Sequence, residues 1–281
     1  MNTFENWVRK KDFLICVDSD GCAMDTMDIK HKQCFGPEMV LCYGLDEHKK
    51  TVLDVWNEVN LYSLTRGSNR FIALATVLGE LEARGICKVP EPYDALIKWT
   101  EESRELSNPA LEKAVNDTGN CQLARALRWS RRVNESIAAL PEENGAYPGV
   151  SYSLEKLSAM VDISVVSSAN AGALQEEWKR CGLDRYVGAL LGQEAGNKAF
   201  CISELMRVGG YGKSRVLMVG DAPGDLKAAE KNGVFYYPIL VGKEEFSWQR
   251  LCDEAINKLI DESFAGEYQE KLKREFFENL S

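Results

Sequence analysis

The chain has 281 residues, 45% of them apolar and 27% charged, which is long enough for a sizeable buried core and excludes a disordered polar chain. Its formal net charge of −9 disfavours nucleic acid or an anionic membrane as a partner, while leaving room for a local basic pocket that takes a small phosphorylated metabolite. No apolar run reaches the roughly 20 residues of a membrane span, and two histidines form no zinc cluster. The nine cysteines are odd in number and lack a CxxC pair; with the polar, charged opening Met1–Asp12, they are expected to be reduced thiols of a cytoplasmic protein.

Phe13–Val17 is the first short apolar run, and its lack of polar–apolar alternation marks a strand covered on both faces. About 130 residues separate it from the next such run, far beyond an ordinary crossover. The insert reads as helical throughout. Val52, Val55, Trp56 and Val59 share one helical face; Phe71, Leu74, Ala75, Leu78 and Leu81 share another, between a Ser68 N-cap and Gly85. Asn108-Pro109 reads as a helix start, with Asn as cap and Pro at the first position. Leu123, Leu127, Ile137 and Leu140 mark one more long helix, and the Pro141–Gly149 stretch reads as a hinge.

Beyond it, the runs Ile163–Val166, Tyr186–Leu191, Val216–Val219 and a weaker Val234–Leu240 alternate with helices over Ala171–Cys181, Asn197–Val208 and Pro223–Lys231. Each helix is followed closely by glycine, the expected stop. The prediction is an α/β fold: a Rossmann-like open parallel sheet core, discontinuous over residues 1–22 and 147–281, with an inserted all-helical cap over residues 23–146. The tail from Glu244 is read as helical, with Trp248, Leu251, Ile256 and Leu259 as its apolar positions and no functional reading.

Four features fall at the carboxyl ends of the predicted strands or at a helix start, where open α/β sheets bind ligands. They are Asp18-Ser19-Asp20-Gly21, Ser167-Ser168, Lys198, and Gly220-Asp221 with Asp225. Singly each is ordinary, since an Asp or Ser after a strand is more often a turn or cap residue. Together they place acids along one sheet edge, where they repel unless a cation sits among them. Hard oxygen ligands of this kind suit Mg²⁺. A hydroxyl and an ammonium beside them suit a phosphoryl group.

In this order the features resemble the haloacid dehalogenase superfamily of phosphotransfer enzymes, phosphatase type. The chain has an apolar strand running into DxDG at Val17-Asp18-Ser19-Asp20-Gly21, a strand ending in Ser167, a lysine at 198, and acids at 221 and 225 in a GDxxxD pattern. Tyr147-Pro148-Gly149-Val150 also looks like that family's re-entry from cap into core. The resemblance covers the core, and the insert lies where the family carries its helical cap of the first type.

It implies Asp18 as the nucleophile that forms an aspartyl phosphate and Asp20 as the general acid and base. Phosphate is held by Ser167, Ser168 and Lys198. Mg²⁺ is held by Asp18, the Asp20 backbone carbonyl and Asp221, with Asp225 supporting. The cap closes to exclude water. The second acid, Asp20, is usually lacking in the dehalogenase and phosphonate-cleaving branches, so phosphate monoesters are the expected substrates. The expected activity is a Mg²⁺-dependent phosphatase; a phosphomutase shares every core residue named, and a non-catalytic phosphate-binding protein is the reading from another class. In the cap, Arg66 and Arg70 bracket a helix start and are candidates for reading the non-reacting end of the substrate.

Overall fold

Every residue of the run Leu14–Val17 is buried, and it forms the first strand of the sheet. The structure is a computed structural model and describes residues 3–103, 105–141 and 145–281. In chain order, β1 (Leu14–Val17) is followed by α1 (Met27–Ile29), α2 (Gly36–Tyr43), α3 (Lys49–Leu61), α4 (Arg70–Ala83), α5 (Asp94–Glu102), α6 (Asn108–Thr118) and α7 (Cys121–Ala138). There follow α8 (Val150–Met160), β2 (Asp162–Val166), α9 (Ala171–Arg180), β3 (Ala189–Leu191), α10 (Lys198–Gly209), β4 (Val216–Gly220), α11 (Pro223–Asn232) and β5 (Phe235–Pro238). The end of the chain is α12 (Glu244–Arg250), α13 (Ile256–Ile260) and α14 (Glu267–Asn279).

The chain divides into two compact units, Met1–Thr26 with Glu143–Ser281, and Met27–Glu142. In the first, five parallel strands run in the order β3-β2-β1-β4-β5. Alternate residues of β1 serve two cores. Ile15 and Val17 join Trp178, Trp248, Leu154 and Leu157 on one face of the sheet, and Leu14 and Cys16 join Ile202, Leu205 and Phe276 on the other. That double burial is why the strand shows no polar alternation. The register Val17↔Val165 and Val17↔Val219 brings the residues after β1, β2 and β4 to one edge.

The tail closes the open side of β5 by an unusual device. The Gln269 carboxamide accepts from Tyr236 N–H and donates to Tyr236 O, both at 2.9 Å, so a side chain stands in for a sixth strand. The second unit is helical around an aromatic core in which Phe35, Trp56, Trp129 and Phe71 meet. Among the described residues, no helix is long and apolar enough to cross a membrane.

Three local expectations are corrected. The N-cap of α4 is Asn69, not Ser68; its side chain accepts from Phe71 N–H. The N-cap of α6 is Ser107, not Asn108, so Pro109 sits one position further in. Asp184–Tyr186 is a 3₁₀ turn, and strand pairing is confined to Ala189–Leu191. Tyr186 and Val187 are apolar because they pack on the core, which a sequence pattern cannot tell from pairing. In the hinge stretch, residues 142–144 lie outside the described residues.

Candidate active site

Asp18 is the first residue past β1, and its N–H still pairs with Val219 O at 2.9 Å. The chain then folds tightly on itself. Ser19 O accepts from the N–H groups of Cys22, Ala23 and Met24, and Gly21 turns the chain at φ +80°, a conformation glycine adopts without strain. At the end of β4, Gly220 makes room for the Asp225 side chain: a Cβ there would lie 2.3 Å from the Asp225 carboxyl carbon. Asp225, in the first turn of α11, accepts from Ala222 N–H at 3.1 Å and is wholly buried.

Carboxylate oxygens of Asp18, Asp221 and Asp225 all lie within 4.8 Å of one another, and all three residues are buried. Lys198, at the start of α10, reaches between two of them, with Nζ 2.8 Å from Asp18 Oδ2 and 2.5 Å from Asp225 Oδ1. Burial alone would lower the Lys198 ammonium. The two carboxylates outweigh it and hold the group above its ordinary value. Burial pushes the Asp18 carboxyl well up. Lys198 opposes the rise, while Asp225 and Asp221 add to it.

Three carboxylates against one ammonium leave a formal −2 in a buried site. A divalent cation with a preference for hard oxygen donors meets that imbalance, so the donor set fits Mg²⁺.

The sequence candidates divide. Asp18, Lys198, Asp221 and Asp225 form this cluster. Ser167 follows β2, is 4% exposed, and its hydroxyl accepts from Ala169 N–H at 3.1 Å, which leaves its proton free to donate. Ser168, by contrast, is exposed. Asp20 is half-buried, and its Oδ1 accepts from Thr26 Oγ1 at 2.5 Å. Thr26 escaped the sequence reading, and its place six residues past Asp20 gives no motif signal.

Both cap arginines are engaged within the helical unit. Arg66 is 2% exposed and donates to Leu61 O at 2.8 Å. Arg70 lies over the Phe35 ring and donates to Ser130 Oγ and Asn134 Oδ1. Burial draws the Arg70 guanidinium down to about 10.

A model of the haloacid dehalogenase-like hydrolases matches residues 85–238, more than half of the chain. The match takes in Ser167, Lys198, Asp221 and Asp225 and begins after Asp18. No curated protein matches the sequence. Among solved structures, a protein of Lactobacillus delbrueckii subsp. bulgaricus, described provisionally as a phosphoglycolate phosphatase, shares 14% identity over 82% of this chain and 86% of its own, with a TM-score of 0.50. A haloacid dehalogenase-like hydrolase of Streptococcus pneumoniae shares 14% identity over 84% and 90%, with a TM-score of 0.46. L-2-haloacid dehalogenase from Xanthobacter autotrophicus shares 16% over 91% and 85%, with a TM-score of 0.41. At 14% identity the likeness to the Lactobacillus protein is one of fold.

Proposed function

The chain belongs to the haloacid dehalogenase-like hydrolases, and from that premise we propose that it is a Mg²⁺-dependent phosphatase acting on the phosphate monoester of a small metabolite. The observation that carries the reading is the buried chain of contacts Asp18–Lys198–Asp225 beside Asp221, with a second acid, Asp20, two residues after Asp18. A halide leaves without a proton, whereas an alkoxide needs one, so Asp20 favours phosphate esters over haloacids.

Asp18 attacks phosphorus. As the new bond forms, the bond to the ester oxygen breaks, and Asp20 gives that oxygen its proton. Asp20 then takes a proton from water. The resulting hydroxide attacks the aspartyl phosphate and frees Asp18 and inorganic phosphate. The Ser167 hydroxyl and the Lys198 ammonium hold the equatorial oxygens, whose charge is spread through the transition state. Asp18, the Asp20 carbonyl and Asp221 would hold Mg²⁺, with Asp225 supporting, and the ion supplies positive charge that offsets repulsion between anionic nucleophile and anionic ester. A cytoplasmic location follows from the reduced-thiol reading of the cysteines.

The test is phosphate release from a panel of phosphorylated metabolites, 2-phosphoglycolate among them, with Mg²⁺ and with EDTA. Release that needs Mg²⁺ supports the reading. Halide release from 2-haloacids without phosphate release from any ester overturns it. Transfer of phosphate between positions of a sugar, with none released, makes the protein a phosphomutase.

A further inference from the structure

The mechanism needs Asp20 held where it can reach the leaving oxygen and later a water. Asp20 sits in the loop between β1 and α1, where its carboxylate accepts from Thr26 Oγ1. Ser19 O accepts from three N–H groups within the loop, Gly21 N–H donates to Met24 O at 2.9 Å, and the far end is tied by Tyr147 N–H to Ala23 O and Asp25 N–H to Gly145 O, both at 3.0 Å. Two indoles reach this loop from outside it. Trp178, on α9, donates from Nε1 to Ser19 Oγ at 2.9 Å. Trp248, on α12, donates from Nε1 to Cys22 O, also at 2.9 Å. The two bonds land on residues 19 and 22, and so bracket Asp20-Gly21.

Both indoles are 0% exposed, and both belong to the cluster that contains Cys22, Ala23 and Met24. Each carries one donor and no acceptor, so a buried indole N–H is either spent on a specific partner or left unsatisfied. Their supports are tied into the core. Tyr237 Oη donates to Ser247 O at 2.7 Å, and Ser153 Oγ donates to Trp248 O at 3.3 Å, so α12 is tied to both β5 and α8. Trp178 O accepts from Leu183 N–H at 2.9 Å, which fixes the end of α9.

We propose that Trp178 and Trp248 are positioning residues that hold the loop carrying Asp20, and that the C-terminal helical segment, through Trp248, thereby takes part in catalysis. The effect is on proton transfer at Asp20, because the nucleophile is separately fixed by β1 and Lys198. This inference rests on the phosphatase reading for its kinetic half only.

The test uses the full chain with Trp248→Phe, Trp178→Phe and Ser19→Ala. A fourth variant carries benzothienylalanine at 248, which retains the bicyclic ring and removes only the N–H. The first readout is hydrogen exchange, which needs no substrate. Protection of the Gly21–Met24 amides is expected to fall about 10-fold or more in each variant, while β2 and β4 amides keep theirs. Unchanged protection in the benzothienylalanine variant overturns the inference whatever the activity.

The second readout is phosphoenzyme formation by rapid quench from two esters. An alkyl phosphate needs its leaving oxygen protonated, and 4-nitrophenyl phosphate does not. The alkyl rate is expected to fall about 10-fold or more while the aryl rate holds within about 2-fold, with KM unchanged for both. Equal slowing of both esters marks general damage to the site and overturns the inference. If the wild-type protein forms no phosphoenzyme from either ester, the phosphatase reading fails, and the exchange result alone decides whether the indoles hold the loop.

Discussion

Replacing Lys198 by Met tests the charge balance on which the site reading depends. The ammonium lies 2.8 Å from Asp18 and 2.5 Å from Asp225, with side-chain exposures of 14%, 8% and 0%. At an effective dielectric of about 20, one such contact is worth about 6 kcal/mol of Coulomb energy before desolvation is subtracted. Removing one partner of a buried pair costs about 3–5 kcal/mol, because the remaining charge is stranded. Methionine fills most of the lysine stem, so the loss is mainly electrostatic. The site moves from a formal −2 to −3, which destabilises the metal-free protein and strengthens its attraction for a dication.

Urea unfolding in EDTA is expected to show Lys198→Met about 3–5 kcal/mol less stable than wild type. Saturating Mg²⁺ stabilises any folded state that binds it, by about 2.7 kcal/mol at a hundred times Kd. The variant is expected to gain more than the wild type, so the deficit shrinks. A deficit under about 1 kcal/mol in EDTA refutes the buried-pair argument. A deficit identical with and without Mg²⁺ refutes the placement of the ion among these acids. Phosphate release should fall at least about 100-fold even with Mg²⁺, since the ammonium also stabilises the phosphoryl oxygens.

Asp18→Asn should abolish phosphate release with unfolding unchanged or slightly improved, since an amide of the same shape is a poor nucleophile and relieves repulsion among buried acids; near wild-type turnover removes Asp18 as nucleophile. Asp221→Asn should shift the Mg²⁺ titration of activity to higher concentration, and an unshifted titration removes Asp221 as a ligand. Gly220→Ala should displace Asp225, which a Cβ would approach to 2.3 Å, costing about 1–3 kcal/mol of stability and weakening the hold on Lys198; a variant with wild-type melting temperature and turnover contradicts the close approach. Arg66→Ala and Arg70→Ala should lower the melting temperature, because each guanidinium bonds partners inside the helical unit, and an unchanged melting temperature contradicts those contacts.

The core was legible where one physical rule dominated. Continuous apolar runs marked β1, β2 and β4 because each is covered on both faces. Helix ends were legible where glycine supplies the left-handed residue, as at Gly210 (φ +65°) and Gly233 (φ +66°). The acids and Lys198 were legible because their order is carried in one chain. The misses share a cause of another kind. At both Ser68-Asn69 and Ser107-Asn108, two residues able to cap stand side by side, and the structure uses Asn in the first case and Ser in the second. Sequence fixes that a cap is present; the packing of the following turn selects which residue serves, and a shift of one position is within the ordinary uncertainty of a helix end.

The residues that hold the site were not legible for a deeper reason. Asp225 carries two jobs in one carboxylate, since Oδ1 takes the Lys198 ammonium and Oδ2 caps the Ala222 N–H. Its sequence position announces an acid but not that the acid is also the brace of the turn bearing Asp221. Trp248 was visible only as an apolar position and Trp178 was not singled out, because an indole that donates one hydrogen bond and an indole that merely fills space have the same helical periodicity. Their partners are 159 and 226 residues away. A hydrogen bond across such a separation leaves no local pattern, and it is chosen by the register of α9 and α12 on the sheet. That register also explains why the tail matters: Gln269 holds it to β5 through Tyr236, while α12, from the same segment, presents Trp248 to the loop of Asp20. Loosening the tail at Gln269 should therefore act on the loop from a distance. Gln269→Ala leaves two buried backbone groups of Tyr236 without their partner, a cost of about 1–3 kcal/mol for each. It is expected to lower the melting temperature and, if the tail is one mechanical unit, to raise exchange of the Gly21–Met24 amides as well. Destabilisation with the loop amides still protected means that α12 keeps its place independently of α14, and that the brace on Asp20 ends at Ser247 and Ser153.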